Sequence, residues 1–165
     1  EVVRTSIPPR ATQSNLRQLL KELDHVIPGN KTGIARSLHQ VAEQIKRRGL
    51  VIVLSDFFDD PKSVTTAFKH FRHKGNEVIV MQVLDPMERS FAFGTDAVFK
   101  DVESQEELMT QPWHVQKAYQ DSMRQFLENY KRECRENAID YLLLDTSTPF
   151  DKALMEYLTK RRRLS

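Results

Sequence analysis

Three aspartates, each at the end of an apolar run, are the residues of this sequence best suited to chemistry. They are Asp56, Asp85 and Asp145, which follow the runs at residues 50–54, 77–84 and 139–144. Carboxylate oxygens suit a hard cation such as Mg²⁺, which keeps several waters and takes one or two protein carboxylates. If the three runs are parallel strands, their carboxyl ends meet at one rim of the sheet, where open α/β folds place their sites.

The segment around Asp56 is the richest in oxygen atoms. It reads S-D-F-F-D-D, so that Ser55, Asp59 and Asp60 accompany Asp56. Thr32 adds a hydroxyl at the head of a predicted helix, directly after a turn at residues 28–31. A structural interpretation stays open at each position, since aspartates after strands and threonines before helices also serve as loop or helix caps.

The sequence D-T-S-T at residues 145–148 has the same two interpretations. Its carboxylate and hydroxyl oxygens lie between a predicted strand and a predicted helix, where they would suit a divalent ion. Pro149 follows, however, and proline is common in the first turn of a helix. We therefore favour a helix cap at Ser147 or Thr148.

His70 and His73 lie one helical turn apart and would bind a metal ion if a third ligand came near. Their neighbours Lys69, Arg72 and Lys74 are basic, which disfavours a cation site, so we predict a solvated helix face. Cys134 falls on an apolar helical stripe and is predicted to be a core residue.

Composition indicates one soluble globular domain over residues 1–165, with 39% apolar and 29% charged residues. A net charge of +2 does not call for a polyanionic partner, and the basic residues 160–163 lack interleaved aromatic residues, so no nucleic acid is expected. No apolar run reaches the ~20 residues of a membrane span. One cysteine and no signal peptide favour a cytoplasmic location.

Motifs typical of enzymes are absent from the sequence. It has no G-x-S-x-G nucleophile turn, no phosphate-binding G-x-x-x-x-G-K-[ST] loop and no G-x-G-x-x-G fingerprint. With five glycines in the chain, a phosphate site made by backbone amides is not expected. We predict a protein that is not an enzyme.

Apolar runs without alternation predict three buried strands, and helical periodicity predicts the helices between them. We expect each strand to be covered on both faces. Residues 90–93 and 97–102 are predicted to form a hairpin around Gly94-Thr95-Asp96, and residues 1–7 a short β-like patch. The fold predicted is α/β, a three-layer sandwich around a mostly parallel sheet. The strands are predicted at 50–55, 77–84 and 139–144, and the helices at 14–26, 32–48, 62–74, 112–136 and from about 149.

Several motifs resemble the bacterial family catalogued as domain of unknown function 58. They are I-P-G-N-K-T-G-I, R-R-G-L-V-I-V-L-S-D-F-F-D, V-L-D-P-M-E, F-K-D-V-E-S and I-D-Y-L-L-L-D-T-S-T-P-F-D-K-A-L. The resemblance covers about residues 8–161. It implies a Rossmann-like fold of the von Willebrand factor A type, in a family found beside MoxR-type AAA ATPases.

The resemblance also implies a metal-ion-dependent adhesion site on the rim of the sheet. Asp56 matches its aspartate and Thr32 matches its threonine, with Ser55 and Asp59 as supporting residues. The D-x-S-x-S segment of such sites has no match in residues 1–31, so we expect an incomplete domain that lacks its first strands. Any Mg²⁺ binding is then expected to be weak or absent.

A missing first strand would leave strand 50–55 with an open apolar edge, and such edges promote association. We expect this edge to pair with a second copy, with residues 1–7 or with a partner. The predicted function is a protein–protein interaction module, dependent on a divalent cation in the parent protein and working with a MoxR-type AAA ATPase in complex assembly or maturation. The alternative is a Rossmann-like metal-dependent hydrolase or phosphotransferase in which Asp56 is nucleophile or metal ligand.

Overall fold

A computed structural model describes residues 3–27, 33–91, 97–100, 107–110 and 112–162 of the chain. The helices are α1 (Gln13–Asp24), α2 (Ile34–Gln44), α3 (Pro61–His73), α4 (Pro86–Ser90), α5 (Pro112–Glu136) and α6 (Phe150–Arg162). The strands are β1 (Leu50–Ser55), β2 (Glu77–Leu84), β3 (Ala97–Lys100), β4 (Glu107–Thr110) and β5 (Asp140–Asp145).

The main sheet is open, all parallel and ordered β1-β2-β5. Val53 of β1 pairs with Val80 of β2, and Val80 pairs with Tyr141 of β5. Parallel neighbours need crossover helices, and α3 supplies the crossover from β1 to β2. The predicted α/β class, Rossmann-like with a parallel sheet, is therefore confirmed.

The core fills one face of this sheet. Inward residues of β1 and β2 meet the buried faces of α2, α3 and α5 there, and the cluster contains three aromatic side chains of zero exposure from the loop after β1 and from α3. Tyr130 and Cys134 of α5 complete it, which confirms the predicted core position of Cys134. Its members are Ala35, Ala42, Val53, Phe57, Val64, Phe68, Phe71, Val78, Val80, Tyr130, Cys134 and Ile139.

Helix α3 illustrates how closely local signals set an element. The Asp60 side chain caps its start by accepting from the Ser63 backbone nitrogen, and Pro61 takes the first turn. Val64, Ala67, Phe68 and Phe71 form the buried face of α3. After the helix, Gly75 turns the chain at φ +81°, where a Cβ would lie 2.8 Å from Nε of Arg48.

The opposite face of the sheet is only partly covered. Helix α6 packs there, where Tyr157 donates to Asp140 at 2.7 Å and Arg161 pairs with Glu77. Because α6 lies on β5 while β1 forms the edge, the outward side chains of β1 stay exposed. Leu50 is 53% exposed, Ile52 47% and Leu54 63%. The prediction that this strand is covered on both faces is wrong for the described residues.

Two helices, α1 and α6, expose the apolar residues that recur at helical spacing along them. Helix α1 begins at its Thr12 cap, yet buries none of its residues. Leu154 and Leu158 of α6 are exposed as well, although Tyr157 is half-buried. An apolar stripe shows which face a helix can bury, but a neighbouring element must be present to bury it.

Helix α2 ends four residues before its predicted end at Arg48. Ile45 is extended at ψ 113°, so Lys46, Arg47 and Arg48 lie outside the helix. The chain must turn here to enter the sheet, and Gly49 is held by bonds to Asn76 and from Glu77.

The predicted pairing of residues 90–93 with 97–102 is wrong for the described residues of these two segments, which are 90–91 and 97–100. Ser90 belongs to α4, which starts at a capping box made by Asp85 and Glu88. Strand β3 pairs instead with β4, antiparallel, with Val98 opposite Met109. Residues 92–96 and 101–106 lie outside the described part of the chain. Residues 3–11 form neither helix nor strand.

In the ranges that the structure describes, no helix is long and apolar enough to cross a membrane.

Candidate functional site

The three aspartates lie at the carboxyl ends of β1, β2 and β5, as predicted. The register places Ser55 beside Gln82 and Leu84 beside Asp145. Thr146 links two of the ends, since its hydroxyl donates to Asp85 at 2.9 Å. The three aspartates therefore lie at the same rim of the sheet, but each carboxylate has its own hydrogen-bond partners.

Asp145 is occupied by hydrogen bonds within its own loop. The backbone nitrogen and hydroxyl of Ser147 both donate to Oδ1, and these bonds, with a bond from Arg89 at 2.9 Å, lower the pKa of Asp145. Asp85 caps α4. The contacts of Asp145 favour the structural interpretation of D-T-S-T. The hydroxyl of Ser147, however, donates to Asp145 within the loop and does not cap α6, which begins at Phe150.

Asp56 is exposed and has one unused carboxylate oxygen. Its Oδ1 accepts from the hydroxyl of Ser55 at 3.3 Å and from the backbone nitrogen of Phe58 at 3.2 Å. Among the described residues no donor contacts Oδ2. The carboxylate is thus oriented by its own loop and left open toward the solvent.

Phe57, the next residue, has a backbone conformation that few large side chains adopt. Its φ is +60°, in the left-handed region, and its side chain is fully buried. The ring packs edge-on against Phe68 at 5.4 Å between centroids, and Tyr130 donates its hydroxyl to the Phe57 carbonyl at 3.1 Å. Core packing therefore holds the turn that presents Asp56.

Gln82 fixes the backbone of Asp56 from the neighbouring strand. Its amide nitrogen donates to the Asp56 carbonyl at 2.7 Å, and its amide oxygen accepts from Tyr141 at 2.7 Å. Burial raises the pKa of Tyr141 and of Tyr130, so both hydroxyls remain protonated donors at neutral pH. Sequence reasoning missed these residues, although a glutamine inside the run E-V-I-V-M-Q-V-L was a usable signal.

Asp59 and Asp60 serve different elements of the same loop. Asp59 accepts from the backbone nitrogen of Ala35, in the first turn of α2, at 3.4 Å. This contact brings the loop to the start of α2, two residues from Thr32. Thr32 itself lies outside the described residues. Asp60 caps α3, and the bond from the Ser63 hydroxyl is the main cause of its lowered pKa.

The donor set at Asp56 is sparse for a metal ion. In the described ranges no three His, Cys, Asp or Glu side chains converge where an ion could sit. What the rim supplies is one open carboxylate oxygen and the hydroxyl of Ser55. That set fits a Mg²⁺ ion that keeps most of its waters better than an ion enclosed by protein.

A cavity of about 460 Å³ lies elsewhere on the rim, beside Asp145. Arg89, Gln120 and Arg124 supply its polar lining, and Met123 and Leu127 supply apolar surface. The arginines are paired with Asp145 and Asp121 at 2.9 and 3.2 Å, so the cavity carries little net charge.

Comparison with known proteins identifies a family without a described activity. A family model described as protein of unknown function DUF58 matches residues 1–133, which include β1, β2 and the Asp56 loop. No curated protein and no solved structure matches the chain. Because the match spans most of the sequence, the chain belongs to the DUF58 family.

Proposed function

We propose that the protein is a non-enzymatic interaction module of the von Willebrand factor A type, with Asp56 at its contact point. The supporting observation is the Asp56 loop itself: an exposed carboxylate with one open oxygen, on a turn that Phe57, Gln82 and Tyr130 hold in place. A rigid rim of this kind orients a carboxylate without movement on binding.

A divalent cation would join Asp56 to the partner. Mg²⁺ takes six oxygen ligands and gives up its waters reluctantly. Asp56 supplies one ligand, Ser55 and Thr32 offer hydroxyls, and an acidic side chain of the partner would supply the next. With so few ligands from this chain, we expect Mg²⁺ alone to bind weakly and to bind well only together with the partner.

The partner class that we propose is a MoxR-type AAA ATPase, acting with this module in complex assembly or maturation. It rests on the resemblance to the DUF58 family, whose members are found beside MoxR-type AAA ATPases. The single cysteine suits a reducing compartment, and we place the interaction in the cytoplasm.

The edge of β1 offers a second contact. Its backbone has no strand beside it in the described part of the chain, and its outward side chains are apolar and exposed. Residues 3–7, one of the three expected partners for this edge, form no strand there. We propose that the edge pairs with a second copy of the chain when no other strand is available.

Biolayer interferometry against a MoxR-type ATPase from the same organism tests the main proposal. Binding is expected in about 5 mM Mg²⁺, a concentration suited to a weak site made of oxygen ligands. It is expected to weaken at least about tenfold when EDTA is added or when Asp56→Asn replaces the unmodified chain. Asp121→Asn removes an exposed carboxylate of α5 and serves as the matched control.

Two results would contradict the proposal. One is binding that neither EDTA nor Asp56→Asn changes. The other is a phosphatase or nucleotide hydrolase activity of the purified chain that Asp56→Asn abolishes, which would instead establish the metal-dependent enzyme.

A further inference from the structure

Two histidines from neighbouring helices meet at the interface of α2 and α3. The Nδ1 atoms of His39 and His70 lie 3.3 Å apart, and the ring centroids 5.5 Å apart. Both side chains are half-buried, whereas His73 is exposed. The prediction that His70 lies on a solvated face with His73 is therefore wrong, because α2 covers it.

Glu43 holds the His70 ring from its other side. It follows His39 by one turn of α2, and its Oε1 lies 3.2 Å from Nε2 of His70. A carboxylate at this distance accepts the proton of Nε2, so the neutral ring carries its lone pair on Nδ1, facing His39. Metal-binding histidines commonly have this arrangement, in which a carboxylate fixes the tautomer and the orientation of the ring.

The spacing of the two Nδ1 atoms matches that of zinc ligands. With Zn–N bonds of about 2.0–2.1 Å and tetrahedral angles, two nitrogen ligands of one zinc ion lie about 3.3 Å apart. In the metal-free pair, a proton on His39 Nδ1 would point at His70. On binding, that proton moves to Nε2 of His39, and both Nδ1 lone pairs become available without a net change in protonation.

We propose that His39 and His70 form a two-histidine site for a divalent cation of the zinc class. Glu43 positions His70, and water molecules take the remaining coordination positions. Imidazole ligands favour Zn²⁺, Cu²⁺ and Ni²⁺ over Mg²⁺, so this site and the Asp56 rim select different ions.

Lys74 moderates the affinity of this site. Its ammonium lies 3.4 Å from the second oxygen of Glu43 and donates to the Ala42 carbonyl at 2.8 Å. A cation here weakens the effect of the Glu43 carboxylate, so Lys74→Gln is expected to tighten zinc binding.

A bound ion would join the two helices that frame the Asp56 loop. Asp59 contacts the start of α2, and Asp60 caps α3. Because the ion binds the folded chain through both helices, it is expected to raise the unfolding temperature as its concentration increases.

Titration calorimetry and thermal unfolding with ZnCl₂ test the site in the 165-residue chain. One equivalent of Zn²⁺ is expected to bind and to raise the unfolding temperature. His39→Ala and His70→Ala should each weaken binding at least about tenfold, and Glu43→Gln about 10- to 100-fold. His73→Ala is the matched control, one turn from His70, and should bind as the unmodified chain does.

The proposal is overturned if the unmodified chain binds no Zn²⁺, or if His39→Ala and His70→Ala bind Zn²⁺ as tightly as the unmodified chain does. Should these variants unfold, ¹⁵N NMR of the unmodified chain decides: Zn²⁺ must shift Nδ1 of both His39 and His70, and a shift confined to other histidines rejects the site. Asp56→Asn should bind Zn²⁺ normally, which separates this test from that of the proposed function.

Discussion

The hydroxyl group of Tyr130 connects the core to the loop that carries Asp56. This buried hydroxyl donates to the Phe57 carbonyl, which also accepts from the backbone nitrogen of Asp59 at 2.8 Å, while the Tyr130 ring packs against Phe57 and Phe126. The residue therefore supports a backbone conformation that would otherwise be costly.

Tyr130→Phe removes that donor and leaves the ring in place. We expect it to lower the free energy of unfolding by about 0.5–1.5 kcal/mol, since the Phe57 carbonyl loses one of its two donors and keeps the bond from the Asp59 backbone nitrogen. Urea denaturation measures the change. Tyr119→Phe is the control: this half-buried ring packs against Phe91 at a tilt of 32°, and the substitution should change stability by less than about 0.5 kcal/mol. Equal effects of the two substitutions would contradict the assigned role.

Asp60 gives the cap of α3 a pH dependence. Bonds from Ser63 lower its pKa in the folded chain, so the ionised carboxylate stabilises the fold above the ordinary value of about 3.9. This contribution is lost as pH falls through the lowered value. Asp60→Asn keeps a capping side chain without the charge. The difference in urea midpoint between the two proteins should therefore shrink between pH 7 and pH 3, and a constant difference would show that the charge is unimportant.

Cys134 is shielded by the same core. Burial raises the pKa of its thiol to about 12, far above the ordinary value of about 8.5. At pH 8 the folded chain should react with a thiol reagent only as fast as its core opens. In about 6 M denaturant, where the chain is fully unfolded, the reaction should be rapid. Fast labelling of the folded chain would place Cys134 outside the core.

At the scale of elements, β1 and α1 present apolar surface in different ways. Among the described residues, no strand pairs with the outer backbone edge of β1, and its Leu50, Ile52 and Leu54 are exposed, whereas α1 satisfies its backbone internally. Edge pairing therefore depends on β1, and α1 adds only apolar contacts.

Ile52→Lys places a charge on the edge strand and should reduce self-association. Light scattering at increasing concentration is expected to show a shift toward monomer, with stability changed by less than about 0.5 kcal/mol because Ile52 is exposed. Leu20→Lys, on exposed α1, is the matched control and should leave edge pairing intact. A monomer at every concentration before any substitution would remove the proposed pairing.

For the whole molecule, sequence patterns predicted the elements better than their surroundings. Asp60-Pro61 and Gly75 located α3 to within one residue, because caps and turns are local signals. The exposed outward face of β1 and the exposed α1 were not predictable, since an apolar stripe carries no information on whether a neighbour is present to cover it.

The candidate site was predictable only where it is local. Asp56 and its loop follow from the end of one strand. Gln82 reaches that loop across 26 positions, and His39 meets His70 across 31, so both contacts depend on how the elements pack. Periodicity within one segment does not reveal such pairs.

The hydrogen bonds from Tyr141 through Gln82 to Asp56 also favour the native register of the three strands, because they form only in that register. A shift of β2 by one residue would turn Gln82 to the other side of the sheet and bring an apolar neighbour toward the Asp56 carbonyl. The misaligned chain would then lose both hydrogen bonds of the Gln82 amide at once. Correct alignment during folding and correct presentation of Asp56 are therefore secured by the same amide group.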